Sequence, residues 1–256
     1  MANVIALANQ KGGVGKTTTS INLGACLADL HQRVLLIDLD PQGNATSGLG
    51  IDKRQIGQNV YDVLINDVPL KDVITKSSHP GLDIVPTTIA LSGAEVELTS
   101  LMARETRLKD AFGDVSDHYD FILIDCPPSL GLLTINAFTA ANSILIPVQS
   151  EYYALEGLSQ LMNTIQLVRK HFNKGLKIEG VLLTMYDRRT KLGKQVNAEV
   201  QKYFGSQVYH TIVPRNVRLS EAPSHGEAIV DYDRHSTGAQ VYRQLAKEVL
   251  AAHGKE

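Results

Sequence analysis

One stretch constrains this chain more than any other: Lys11-Gly12-Gly13-Val14-Gly15-Lys16-Thr17-Thr18. Before it, Val4-Ile-Ala-Leu-Ala8 is a short unbroken apolar run that predicts a buried strand. After it, Lys16 to Leu30 predicts a helix, with Ile21, Leu23, Ala25, Leu27 and Ala28 as its apolar contacts. Glycines between a strand and a helix let the backbone curl until its N–H groups point inward, and the helix start adds partial positive charge. The product is a cradle for phosphate oxygens. Lys16 is placed to neutralise β- and γ-phosphates, and the Thr17 hydroxyl to ligate Mg²⁺. The strict G-x-x-x-x-G-K-[ST] pattern fails at its first position, where Gln10 stands; an extra lysine, Lys11, and the pair Gly12-Gly13 take its place. A glycine-rich turn with solvated lysines is the plainer alternative. It leaves the joint occurrence of lysine, threonine and flanking elements without a cause.

The rest of the chain repeats the strand–helix alternation. Strands are expected at Arg33–Leu39, Leu82–Val85, Tyr119–Asp125, Ser143–Pro147, Ile178–Thr184 and Gln207–Ile212. Helices are expected around Gly93–Phe112 and at Tyr153–Phe172, Lys191–Phe204 and Gly238–Ala252. Continuous aliphatic runs suit strands covered on both faces, and intervening helices imply right-handed crossovers. The expected fold is therefore α/β, a twisted, mostly parallel sheet with helices on both faces, in a single domain spanning 1–256. Composition agrees: 43% apolar and 20% charged residues exclude a disordered or fibrous chain. No apolar run approaches the roughly 18 residues of a spanning helix, and the N-terminus lacks the basic start of a signal peptide. Two cysteines, Cys26 and Cys126, make no disulfide framework, as expected of a cytoplasmic chain.

Charge is uneven. Residues 169–256 carry 15 Lys+Arg against 9 Asp+Glu, whereas residues 1–168 carry 10 against 18. This permits a basic face in the C-terminal third without requiring one. Tyr186-Asp-Arg-Arg-Thr-Lys-Leu-Gly-Lys194 concentrates four basic residues, although such a run is often merely a solvated face. Asp38 and Asp40 end the second strand, the edge at which parallel sheets bind ligands. Spacing of two sends both side chains to one side, and like charges so placed call for a cation or hydrogen-bond donors. A turn or capping role before Pro41 is the alternative.

Lys-Gly-Gly-Val-Gly-Lys-Thr-Thr resembles the deviant Walker A motif of the ParA/MinD class of P-loop ATPases. The resemblance extends from Val4 to about Gly238. It implies that Lys11 reaches across a nucleotide-sandwich dimer to the partner's phosphates. Leu36-Ile-Asp-Leu-Asp-Pro-Gln42 is similar to Walker A′, which implies that Asp40 acts on the attacking water and Asp38 supports the magnesium-water shell. Phe121-Ile-Leu-Ile-Asp125 is similar to Walker B, which implies that Asp125 holds Mg²⁺, followed by the γ-phosphate-sensing loop through Gly131.

Val213-Pro-Arg-Asn-Val-Arg-Leu-Ser-Glu-Ala-Pro-Ser-His-Gly226 resembles a signature of the ParA/Soj branch, the chromosome and plasmid partition ATPases. That implies adenine contacts from Pro214 and Asn216, where residues alone suggest only a turn. It also implies DNA-backbone contacts from Arg189 and Arg218. The expected activity is ATP hydrolysis to ADP and phosphate. ATP–Mg²⁺ would drive homodimerisation and nonspecific binding of double-stranded DNA, and a ParB-type centromere-binding protein would stimulate the hydrolysis that releases it. The expected location is cytoplasmic and nucleoid-associated, in the short form without an added helix-turn-helix domain.

Three alternatives carry a discriminating feature. A MinD-type division-site ATPase needs an amphipathic membrane helix at its C-terminus. Here Val241, Leu245, Val249 and Leu250 read as core packing, and no membrane contact is expected. A nitrogenase iron-protein type needs thiolates at a dimer interface, and Cys26 and Cys126 read instead as buried small apolar residues. A nucleotide switch without turnover is disfavoured by Asp40 and Lys11.

Overall fold

The structure, a computed structural model, describes residues 2–151, 154–187 and 189–254. The expected helix start at Tyr153 and the Arg188 of the basic run lie outside these described residues. Among the described residues eight strands form one sheet: β1 (Asn3–Leu7), β2 (Val34–Asp38), β3 (Thr75–Lys76), β4 (Leu82–Val85), β5 (Phe121–Asp125), β6 (Ser143–Gln149), β7 (Lys177–Tyr186) and β8 (Val208–Pro214). Their spatial order is β3-β4-β2-β5-β1-β6-β7-β8. All neighbours run parallel except β3, a two-residue edge strand antiparallel to β4. Apolar positions that run without alternation require cover on both faces, and every residue of β2 and β5 is buried.

Among the described residues the α-helices are α1 (Lys16–Asp29), α2 (Asn44–Gly48), α3 (Val60–Ile65), α4 (Leu91–Leu98), α5 (Arg107–Ala111), α6 (Val115–His118), α7 (Leu132–Ala140), α8 (Ala154–His171), α9 (Lys191–Phe204), α10 (Val217–Glu221), α11 (Ile229–Tyr232) and α12 (Thr237–Ala252). The sheet splits the core in two. One apolar cluster joins Ile5, Leu7, Leu36 and Leu123 to Ile21 and Leu27 of α1, Ile229 of α11, and Leu245 and Val249 of α12. The other joins Val4, Ala6, Ile37 and Ile124 to Leu91 of α4, Leu133 of α7, Leu161 of α8 and Val200 of α9. The apolar stripe of α12 thus lies in the core against α1 and β8, as its sequence suggests. Cys26 and Cys126 are both fully buried, and they fall in opposite clusters.

Two expectations need correction. The helix expected around Gly93–Phe112 is two helices, α4 and α5, separated by the turns of residues 99–106. The hydroxyls of Thr99 and Ser100 donate back to the carbonyls of Val96 and Glu97, at 2.6 and 2.9 Å, and end α4. Ala103 then takes a left-handed φ of 51°. Between β5 and β6, where no helix is expected, α7 crosses over and supplies the connection that two parallel strands need.

Candidate phosphate-binding site

Parallel register brings three strand ends together. Leu7 of β1 and Asp38 of β2 both pair with Asp125 of β5. The loop leaving Leu7 therefore rises beside two carboxylates at the carboxyl edge of the sheet, the place such folds hold ligands. Gly13 and Gly15 take φ of 74° and 89°, which a side chain would strain, so the loop can double back into α1. Gly15 caps α1 without any side-chain hydrogen bond, so the first-turn N–H groups are left for an anion. Val14 anchors the loop: its side chain is buried, and its carbonyl accepts a 2.8 Å hydrogen bond from the Thr184 hydroxyl at the end of β7.

Lys16 is only 6% exposed and its Nζ donates to the Lys11 carbonyl at 3.3 Å. Burial pushes its ammonium below the ordinary lysine value, while Asp125, Cys126 and Asp40 pull it back up. The two carboxylates are dressed differently. Asp38 is wholly buried; its Oδ2 accepts from the Thr46 N–H at 2.8 Å and the Thr46 hydroxyl at 2.7 Å, and its Oδ1 from the Asp40 N–H at 3.2 Å. Asp125, also wholly buried, accepts from the Ser20 hydroxyl at 3.0 Å on Oδ1, and its Oδ2 has no partner. Burial pushes both carboxyls upward from the usual carboxylate range, and for Asp125 the adjacent Asp38 adds to the effect. A buried carboxylate oxygen without a donor, beside a second carboxylate, fits a divalent cation.

Two adjoining cavities lie above. One, of about 370 Å³, is walled by Gly12, Gly13, Gly15, Lys16, Thr17, Thr18, Asp40, Gln42 and Asn44. The other, of about 650 Å³, shares Gly15, Thr17, Thr18, Asn44 and Met185 with it and continues along Pro214, Asn216, Leu219 and Pro223. The structure thus brings the glycine loop, Asp40, Pro214 and Asn216 into one continuous depression. Asn216 also caps α10, its Oδ1 accepting from the Arg218 N–H at 2.9 Å.

Lys11 points elsewhere, its Nζ donating to Glu151 Oε2 of the same chain at 2.7 Å, with Gln149 holding the other carboxylate oxygen at 2.6 Å. Arg189 and Arg218 sit near adjacent strand ends, since Tyr186 of β7 pairs with Pro214 of β8. Each arginine has local acidic partners: Arg189 clasps Asp187 at 2.9 and 3.0 Å, and Arg218 reaches Glu221 at 2.9 Å and Asp233 at 3.6 Å. The Arg189 guanidinium holds the Asp187 carboxyl down to about 2.

Sequence reasoning assigned no role to Thr46, Glu151, Thr184, Met185 or Arg215. Glu151 stands 140 residues from Lys11, and only the β1–β6 pairing brings their elements together. Met185, with a φ of 50° that non-glycine residues rarely adopt, lies in the walls of both cavities. Arg215 was visible as a basic residue beside Asn216, and its charge acts on Asp187 across the β7–β8 pair. Among the described residues no group of three His, Cys, Asp or Glu could hold a metal, and no helix is long and apolar enough to cross a membrane.

Comparison with known proteins gives a consistent result. The model of the AAA domain family matches residues 2–178. The sporulation initiation inhibitor protein Soj of Bacillus subtilis (strain 168) is 63% identical over 251 residues, covering 98% of this chain and 99% of that protein. The chromosome-partitioning ATPase Soj of Treponema pallidum (strain Nichols) is 50% identical, with all of both chains covered. Among solved structures, cobyrinic acid a,c-diamide synthase from Mycobacterium smegmatis, with bound ATP analogue and magnesium, matches with TM-score 0.87 and 37% identity over 99% of this chain and 96% of that one. The septum site-determining protein MinD of Pyrococcus horikoshii OT3, complexed with Mg-ADP, matches with TM-score 0.81 and 27% identity over 99% and 98%.

Proposed function

This chain belongs to the Soj/ParA family of chromosome-partitioning ATPases, and from that premise we propose that ATP switches it between a monomer and a DNA-bound dimer. It is an ATPase that uses ATP, ADP and Mg²⁺. Residues 1–256 act as one catalytic unit in this proposal.

The observation that carries the proposal is the buried Lys16 at a helix start without a side-chain cap, under the charges of Asp125 and Asp40 beneath a continuous cavity. Loop N–H groups from Gly12 to Thr18 would cradle the phosphates, and Pro214 and Asn216 would flank the adenine. Thr17 and Asp125 would hold Mg²⁺ with Asp38 beside them, and the cation would neutralise charge on the β- and γ-phosphates. Asp40, in the cavity wall, would orient the attacking water. Lys11 would leave Glu151 and cross to the phosphates of the second subunit, so that dimer formation replaces an ion pair within one chain by one between chains. The dimer would align two sets of Arg189 and Arg218, which bind DNA phosphates without reading sequence. A ParB-type partner would speed hydrolysis, and the spent dimer would separate and leave the nucleoid.

The test is binding to random-sequence duplex DNA with ATP–Mg²⁺ and with ADP–Mg²⁺ at one fixed salt concentration. Tight binding with ATP alone is expected. Equal binding in both states would remove the switch. No DNA binding, together with ATP-dependent binding to liposomes, would favour a membrane-acting relative of MinD.

A further inference from the structure

The loop that carries Asp40 is closed by a buried clasp that no part of the nucleotide-binding pattern requires. Asp38 and Thr46 stand at its two ends, both wholly buried. Thr46 lies in α2, and both its hydroxyl and its N–H donate to the same oxygen, Asp38 Oδ2. The hydroxyl is also an acceptor, taking a 3.0 Å hydrogen bond from the Thr87 N–H beyond β4. A hydroxyl has one proton, and a backbone N–H can only donate. The direction of the relay is therefore fixed: Thr87 donates to Thr46, and Thr46 donates to Asp38. Within the closed loop, the Asp40 N–H donates to Asp38 Oδ1 and the Gln42 N–H to Asp40 Oδ1, while the Gly43 N–H donates to the Asp40 carbonyl at 2.8 Å. Asp40, Gln42 and Asn44, all in this loop, wall the phosphate cavity.

We propose that Thr46 is a positioning residue for hydrolysis, holding the Asp38–Thr46 loop, and with it the Asp40 carboxylate, at the phosphate end of the cavity through its hydroxyl relay from Thr87 to Asp38. The inference rests on the reading of Asp40 given above. It assigns Asp38 a bracing duty in addition to any part beside a cation, since three of its acceptor positions are already filled from within the loop. Ser20 leaves Asp125 an unpartnered oxygen, so the two neighbouring carboxylates have different tasks.

The clasp acts on turnover, because a small displacement of a group that must meet the reacting atoms costs rate steeply. Nucleotide affinity comes from the glycine loop and Lys16, which Thr46 does not touch. Thr46→Val keeps the shape and removes the relay; Thr46→Ser keeps the relay and removes the methyl. Expected for T46V is a fall in kcat of about tenfold or more, with the affinity for a fluorescent ATP analogue, measured with Mg²⁺, within about twofold of native. T46S is expected to recover most of the rate. The melting temperature of nucleotide-free T46V is expected to fall, and kcat is compared at equal distance below each melting point. Turnover of T46V near the native value, or a loss of rate matched by an equal loss of nucleotide affinity, would overturn the proposal. So would failure of T46S to restore the rate. If T46V does not fold, T46A, which leaves room for a bridging water, is measured the same way. Asp40→Ala run in parallel separates the two readings: unchanged turnover there removes the role of Asp40, whereas an inactive D40A with a fully active T46V removes only the clasp.

Discussion

The carboxyl edge of one sheet carries charge in two contrasting ways. At the ends of β1, β2 and β5 the charged groups are sunk: Asp38 and Asp125 are fully buried and Lys16 nearly so, with hydrogen-bond donors fixed on the carboxylates by backbone and hydroxyl groups. Near the ends of β7 and β8 they stand in water: the Arg189 side chain is 90% exposed, and its acidic partner is two residues away. Burying charge is costly unless geometry supplies partners, so the first region must be organised before any ligand arrives. Exposed pairs hold little energy and exchange readily for other anions. The first region is suited to chemistry, and the second to reversible grip on a polyanion.

The largest test of that contrast is Lys16→Ala. Removing one member of a buried charge cluster leaves the others unpaired, so ATP affinity should fall by more than about a hundredfold. Titration with a fluorescent ATP analogue measures it. An affinity within a few-fold of native would mean that the loop N–H groups carry the phosphates alone, and the division between sunk and exposed charge would lose its functional meaning.

The next test belongs to the exposed region. Four arginines from a dimer should contribute about −3.6 to the slope of log K against log salt, at about −0.9 for each neutralised phosphate. Arg189→Ala with Arg218→Ala should remove about that contribution while ATP binding stays native, because neither side chain is among the walls of the nucleotide cavities. An unchanged slope would return these arginines to a merely solvated face.

A third test concerns what ties the regions together. The segment from Asn216 to Tyr232, which helps wall the larger cavity, is pinned to the body by one buried, one half-buried and one exposed contact. The Ile229 N–H donates to Asn22 Oδ1 at 2.7 Å, the Ser78 hydroxyl to the Gly226 carbonyl at 2.8 Å, and His79 Nδ1 meets Asp231 Oδ2 at 2.8 Å. Burial acts to lower the His79 value, but the hydrogen bond to Asp231 and the charges of Asp231 and Asp29 outweigh it and leave it raised. A raised folded value means that the imidazolium stabilises the fold fully below the unfolded value of about 6.5, and that this contribution is lost as pH rises through the folded value. Melting temperatures across that window should fall more for the native protein than for His79→Asn. Parallel curves would show that the segment is held by its neutral contacts alone.

How legible each region is in the sequence follows from the same contrast. The placement of the phosphate loop, Asp38, Asp40 and Asp125 at the carboxyl edge is legible because each follows closely on an unbroken apolar run, whereas their roles rest on the family resemblance and belong to the proposal. Partners distant in the chain are not legible: Glu151 beside Lys11, and Thr87 behind Thr46, meet only through strand order and the β4–α4 turn. α7 is not legible in the sequence because Leu132-Leu-Thr-Ile-Asn-Ala-Phe is apolar over most of its surface, so no 3.6-residue stripe marks it. α4 ends earlier than its sequence suggests because its stop consists of Thr99 and Ser100 bonding backward, with no glycine or proline to signal it.

The smallest expected effect is the most diagnostic of exchangeable charge. Asp187 accepts from both the side chain and the N–H of Arg189, and the guanidinium keeps it ionised, with a value of about 2. In the proposed DNA complex it would compete with a phosphate for the same donors. Asp187→Asn removes the competitor and one negative charge from the approach to DNA. Because the pair is exposed, its loss should raise DNA affinity by only about two- to fivefold at low salt, and less at high salt. The backbone of the turn has other support, since the Asp187 carbonyl accepts from the Thr190 N–H and hydroxyl. Were D187N to weaken DNA binding, the carboxylate would be acting as a brace for Arg189. The exposed region would then be preorganised like the buried one, and the contrast between them would be a difference of solvent exposure rather than of design.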